Sequence, residues 1–173
     1  MKKHVAITLL ILTTLGVLKA HVGIEQQDGG YFLSYQGKKH DVLGAFLNQT
    51  NRLQRQCREV QPIDINTPTA MAALTAIQNF SPPDSQKARL LGLLRQDVWL
   101  LAELEFTMLN PAVVLMKTAP EPVTVSIVDG AIWSGTTAPW TSAPFIRRYI
   151  SERAPQAPPE LLDCFEPKGV LFK

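Results

Sequence analysis

Two carboxylates, Asp97 and Glu105, stand eight residues apart within the apolar stretch of clearest helical period, SQKARLLGLLRQDVWLLAELEFTMLN, from Ser85 to Asn110. An acid in such surroundings must be paired, protonated or facing a cavity, so these two are the candidate catalytic residues of a hydrolase. Eight helical residues span about 12 Å, too far for the pair alone to act as glycosidase carboxylates. A third residue would be needed. The structural alternative is an ion pair with an arginine from another element, Arg147 or Arg148. The sequence holds no GxSxG, no phosphate-cradling glycine loop, no HExxH and no calcium loop. Trp133-Ser134-Gly135 lacks the spacing of a nucleophile elbow.

The stretch that must position the two acids reads as a helix. It contains no proline, Asp84 or Ser85 can cap its start, and Asn110-Pro111 ends it. At about 100° per residue, Leu90, Leu94, Val98, Leu101, Leu104 and Met108 centre an apolar arc, opposed by a polar seam of Arg89, Gln96 and Glu103. Such an arc predicts a core helix about 37 Å long. Arg95, Gln96, Asp97, Glu103 and Glu105 interrupt the run too often for a membrane span.

Upstream, Lys2 and Lys3 precede the apolar run from Val5 to Leu18, and Lys19-Ala20 closes it. This is the layout of a secretory signal peptide over residues 1–20, or of an uncleaved anchor, which is the one way the chain would meet a membrane. The other 153 residues suit a single domain, 21–173. The leader holds three of the seventeen basic residues, so fourteen face fifteen acids beyond it, a net of about −1. That balance excludes nucleic-acid binding through clustered phosphate neutralisation. Arg52, Arg55 and Arg58 recur at spacings of three, as on a solvated helix face.

Cys57 and Cys164 both lie beyond the leader, without CxxC spacing. In an oxidising periplasmic or extracellular compartment, they predict one structural disulfide.

Cleavage after Ala20 would leave His21 as the N-terminal residue, its α-amine beside its imidazole. Together with a second histidine such as His40, these nitrogens could chelate Cu(II). In this single respect the chain resembles the copper histidine brace of lytic polysaccharide monooxygenases and periplasmic copper carriers. Those families use a β-sandwich, whereas the pattern here is rich in helix. His40, beside Asp41, also reads as an ordinary exposed residue at a helix start.

In chain order, HVGIEQ and YFLSYQ flank Asp28-Gly29-Gly30 and predict a hairpin. A helix from Asp41 to about Glu59 would bury Leu43, Phe46, Leu47, Thr50, Leu53 and Cys57. Thr67-Pro68 opens a second helix with Ala70, Ala73, Leu74 and Ile77 inside, and Ser81-Pro82-Pro83-Asp84 turns it antiparallel to the central one. Beyond Pro111, AVVLMK, VTVSIV and AIWSG read as strands, with Asp129-Gly130 as a hairpin turn that puts Trp133 on the more polar face. Trp140 lies in the next loop. A helix from about Ala143 to Arg153, a short ELLDCF turn and a terminal VLF strand complete the chain.

The expectation is an α+β fold: a three-helix core with short antiparallel β-hairpins before and after it. Lacking a readable catalytic set or a cofactor motif beyond the copper alternative, it would serve as a non-catalytic interaction protein of the envelope. A secretion, pilus or conjugation accessory, or an inhibitor or immunity protein, fits that description. Trp133 and Trp140 are the candidate residues for binding a protein partner.

Overall fold

A computed structural model describes residues 22–27, 30–119 and 123–169. The expected leader (1–20), His21 and the expected terminal VLF strand lie outside the described residues. The chain forms two compact units, one ending at Phe46 and one beginning at Leu47.

The first unit contains the expected hairpin and one further strand. Strands β1 (Val22–Gln27), β2 (Gly30–Tyr35) and β3 (Lys38–His40) form an antiparallel meander. Gln27 pairs with Gly30 and Tyr35 with Lys38. Gln36 and Gly37 both take positive φ, 51° and 75°, as a two-residue turn with the twist of its flanking strands requires. Lys39 Nζ bridges to Glu25 at 3.0 Å across the meander.

Helix α1 (Val42–Gln54) begins where Asp41 predicts, with Asp41 Oδ1 accepting from Gly44 N at 2.8 Å. Its apolar stripe is not a buried face. Leu43, Phe46, Leu47 and Leu53 are all exposed, Phe46 by 66% and Leu53 by 77%.

The second unit overturns the three-helix core. Residues 85–110 are not a helix: after a 3-10 turn (Asp84–Lys87) they form β5 (Arg89–Gln96) and β6 (Trp99–Glu105), reversing at Asp97-Val98. These strands belong to a five-stranded antiparallel sheet with β4 (Gln61–Pro62), β7 (Ala112–Ala119) and β8 (Thr124–Ser134), ordered β4-β5-β6-β7-β8. The fold is mixed α+β, with two antiparallel sheets of three and five strands and four short helices among the described residues.

Helices cover both faces of the five-stranded sheet. On one, Trp99, Leu101, Val113, Leu115 and Trp133 pack against Ile146 and Ile150 of α3 (Ser142–Arg153) and Leu161 of α4 (Pro159–Asp163). On the other, Leu100, Ala102, Leu104, Val114 and Met116 pack against Ala70, Ala73 and Ile77 of α2 (Pro68–Gln78). The predicted start of α2 is present, with the Thr67 hydroxyl accepting from Ala70 N at 3.3 Å and Pro68 opening the first turn. Burial on both faces removes the alternation expected of a half-buried strand, leaving WLLA and AVVLM as continuous apolar runs. Spread over a helical wheel, such a run makes a wide arc. Leu90 and Leu104 face α2, Leu94 and Leu101 face α3, and Met108 is 85% exposed in a loop.

Asp129-Gly130 is not a hairpin turn. It lies inside β8, where Val114 pairs with Ile132 and Met116 with Ile127, so Val128–Ala131 stand opposite Leu115 alone. Gly130, at φ +70°, absorbs the excess as a bulge. The bulge returns Trp133 to the core face beside Val113, where it is 5% exposed.

The segment after α4 is tied down by three kinds of bond. Cys57 and Cys164 form a disulfide with 5.8 Å between Cα atoms. Arg147, buried in α3, donates through Nε and Nη2 to the Phe165 carbonyl at 3.0 and 2.6 Å. The Glu166 carboxylate receives Arg52 bidentately at 3.0 Å, Arg55 at 2.9 Å and Arg147 at 3.0 Å. Arg52 and Arg55 are therefore ion-pair partners, while Arg52 and Arg58 are exposed, as a solvated row predicts. Glu103, 3% exposed, accepts from Lys168 N at 2.8 Å and Gly169 N at 2.6 Å.

Burial pushes the Glu166 carboxyl up, but hydrogen bonding to Arg52 and the charges of Arg147, Arg52 and Arg55 outweigh it, and the group titrates below its ordinary 4.5. A depressed carboxyl contributes stability in full above the unfolded value, and that stability is lost as pH falls through the folded one. Glu166→Gln should cost about 2 to 4 kcal/mol at pH 7, because Arg147 keeps its burial and loses its countercharge. In urea titrations the gap between parent and variant should stay constant above about pH 5 and close as pH falls below 4.5. A gap unchanged at pH 3 would disprove the pairing.

The disulfide closes a loop of 107 residues, so reduction should lower stability by about 4 to 5 kcal/mol on the loop-entropy account. Alkylation of denatured, unreduced protein should label neither Cys57 nor Cys164.

Candidate functional site

Helix α3 divides its sequence SAPFIRRYISER cleanly between two sides. Ala143, Ile146, Arg147 and Ile150 are buried. Phe145, Arg148, Tyr149 and Arg153, at spacings of three and four, form the outward stripe, with the arginines exposed and the two rings half-buried against the core. The loop before the helix is held by a 2.7 Å contact between the Thr137 and Ser142 hydroxyls and by Trp140 N donating to the Thr137 carbonyl at 2.7 Å. This places Trp140 against the first turn.

The aromatic rings run from core to surface. Buried Trp133 meets Phe145 edge-on, with ring centroids 6.3 Å apart and planes at 78°. Phe145 stacks on half-buried Trp140 at 5.9 Å. The Arg148 guanidinium lies 5.8 Å from both the Trp140 and the Phe145 centroids, and that of Arg153 lies 3.5 Å over Tyr149. A guanidinium over a ring engages it through its π face and keeps in-plane N–H donors at its edge. One of these on Arg153 donates to the Tyr149 carbonyl at 3.2 Å. Neither Arg148 nor Arg153 has an acidic partner among the described residues. The result is a surface of three rings and two preoriented cations, suited to holding carboxylates against apolar surface.

The two tryptophans singled out by sequence are brought together through Phe145, but in different roles: Trp133 is core and Trp140 surface. Asp97 and Glu105 are not brought together. Asp97 is exposed in the β5–β6 turn at φ +53°, and Glu105 ends β6 in an ion pair with Arg89, the residue opposite it on β5. Some 25 Å of strand separates them. The arginine serving Glu105 is thus a cross-strand neighbour, not Arg147 or Arg148. His40 is exposed on β3 opposite Leu33, and its proposed copper partner His21 lies outside the described residues. Among the described residues no group of three or more His, Cys, Asp or Glu side chains is placed to hold a metal ion.

Sequence reasoning missed Phe145, Arg148, Tyr149 and Arg153, although the signal was present. Aromatic and arginine residues alternate at helical spacing along one side of FIRRYISER. No family model, no curated protein and no solved structure matches this chain.

The different roles predict different costs of truncation. Trp133→Ala should lose about 3 to 5 kcal/mol in chemical denaturation, as expected for an emptied core site. Trp140→Ala should lose less than about 1.5 kcal/mol, the scale of one aromatic pair. Equal losses would mean that Trp140 is also core.

Proposed function

We propose that this chain is a non-catalytic interaction protein of the periplasm or the extracellular space, and that it binds an acidic segment of a partner protein through the outward stripe of α3 and Trp140. The observation carrying this reading is Arg148, lying over two rings with no carboxylate partner among the described residues. Tryptophan, tyrosine and arginine are the residue types enriched at binding hot spots, and here they adjoin one another on a helix anchored to the core. The disulfide supports the compartment, because such bonds persist where thiols are oxidised. No helix among the described residues is long and apolar enough to cross a membrane.

A photo-crosslinking residue at Ser151, exposed beside the stripe, tests this in cells that make the protein. It should give an adduct of defined mass, and the same residue at Met71, exposed on α2, should give none. Trp140→Ala, or Arg148→Glu with Arg153→Glu, should reduce that adduct at least about tenfold. With purified partner, raising the salt should weaken binding. Equal adducts from both positions, or one that survives the charge reversals, would sink the proposal.

A further inference from the structure

The face of the sheet opposite α3 is only partly covered. Helix α2 reaches the sheet through alanines, Ala70 and Ala73, and ends at Gln78, where Asn79 caps it. Beyond that end, a cavity of about 300 Å³ lies between the turn after α2, the β6–β7 loop and the apolar floor formed by Val114, Ile127 and Ile132. Phe80 and Leu109, both exposed, stand at its wall. Apolar lining with a few polar groups on a preformed wall is the ordinary makeup of a small-molecule site, and the volume sits at the lower end of the usual range.

The polar groups decide what the cavity would take. The Ser85 hydroxyl is already engaged, donating to the Gln78 carbonyl at 2.8 Å and accepting from Ser81 N at 3.2 Å. Asp84 is the one ionisable side chain on the wall, and its exposed carboxylate has no ion-pair partner among the described residues. A ligand entering here meets apolar surface along its body and a single uncompensated negative charge.

We infer that this cavity binds a small cationic amphiphile, with an apolar body of about ten non-hydrogen atoms at ~30 Å³ each and an ammonium head on Asp84. The site is separate from the α3 stripe, and its occupancy does not depend on the partner proposed for that stripe. The apolar body supplies most of the affinity through burial, and the carboxylate selects the charge of the head.

The test uses 4-phenylbutylamine, 4-phenylbutyrate and 4-phenylbutanol, three soluble probes that differ only in the head group, titrated calorimetrically at pH 7. The amine should bind at least about tenfold more tightly than the carboxylate, with the alcohol between them. Asp84→Asn, at an exposed position, should bring all three within about twofold without weakening the alcohol. Methyl resonances of Ile127 and Ile132 should shift on binding, while those of Ile146 and Ile150, on the other face, should not. Equal affinities for amine and carboxylate, a preference that survives Asp84→Asn, shifts confined to the α3 face, or no binding of the amine would each overturn the inference.

Discussion

The second unit depends on one constraint, that β6 is buried on both sides. A central strand without a solvent face can carry a charge only where that charge is fully engaged, and Glu103 is the one carboxylate that β6 admits to its core. Its oxygens receive the backbone N–H groups of Lys168 and Gly169. The residue that would be an error inside a sheet thereby fixes the path of the C-terminal segment across it. Cys164, Phe165 and Glu166 precede Lys168 and Gly169 on that path, held by Cys57 and Arg147. With the segment in place, Phe165 completes the core on which α3 rests.

Where one residue type dictates local geometry, the sequence was legible. Thr67-Pro68 opened α2, Asp41 capped α1, and the first hairpin and the Cys57–Cys164 bond formed as read. The central hairpin was illegible for two physical reasons. Strands covered on both faces lose their period of two, and the reversal at Asp97-Val98 contains no glycine, asparagine or proline to announce it. Asp97 adopts left-handed φ there, a conformation that aspartate tolerates better than most residues. Its apparent place inside an apolar arc came from winding a hairpin onto a helical wheel. Asp129-Gly130 failed in the opposite direction, because the dipeptide that favours a tight turn serves equally well as a bulge when the chain must continue along the same neighbour.

The candidate site was half legible for a related reason. Composition picks out tryptophans but does not say which side of a strand they occupy, and three extra residues in β8 decided that for Trp133. Helix α1 is the counterpart: its apolar spacing was read correctly, and its stripe lies exposed. A period establishes that a face exists, while burial depends on what the rest of the chain brings to it.

The arginines sort the unit's surface into two electrostatic regimes. Arg52, Arg55 and Arg147 converge on Glu166, so three cations share one carboxylate in a partly buried cluster, where burial pulls the Arg147 guanidinium below its ordinary value and Glu166 resists that pull. Their donors are committed to holding the chain together. Arg148 and Arg153, on the adjoining side of the same helix, have rings beneath them instead. Charges that nearly cancel over residues 21–173 exert little long-range pull on a partner, so attraction at α3 is confined to roughly a Debye length, about 8 Å at physiological salt. Recognition on such a surface comes from fit at contact: apolar area against the rings, with carboxylates at the two guanidinium edges.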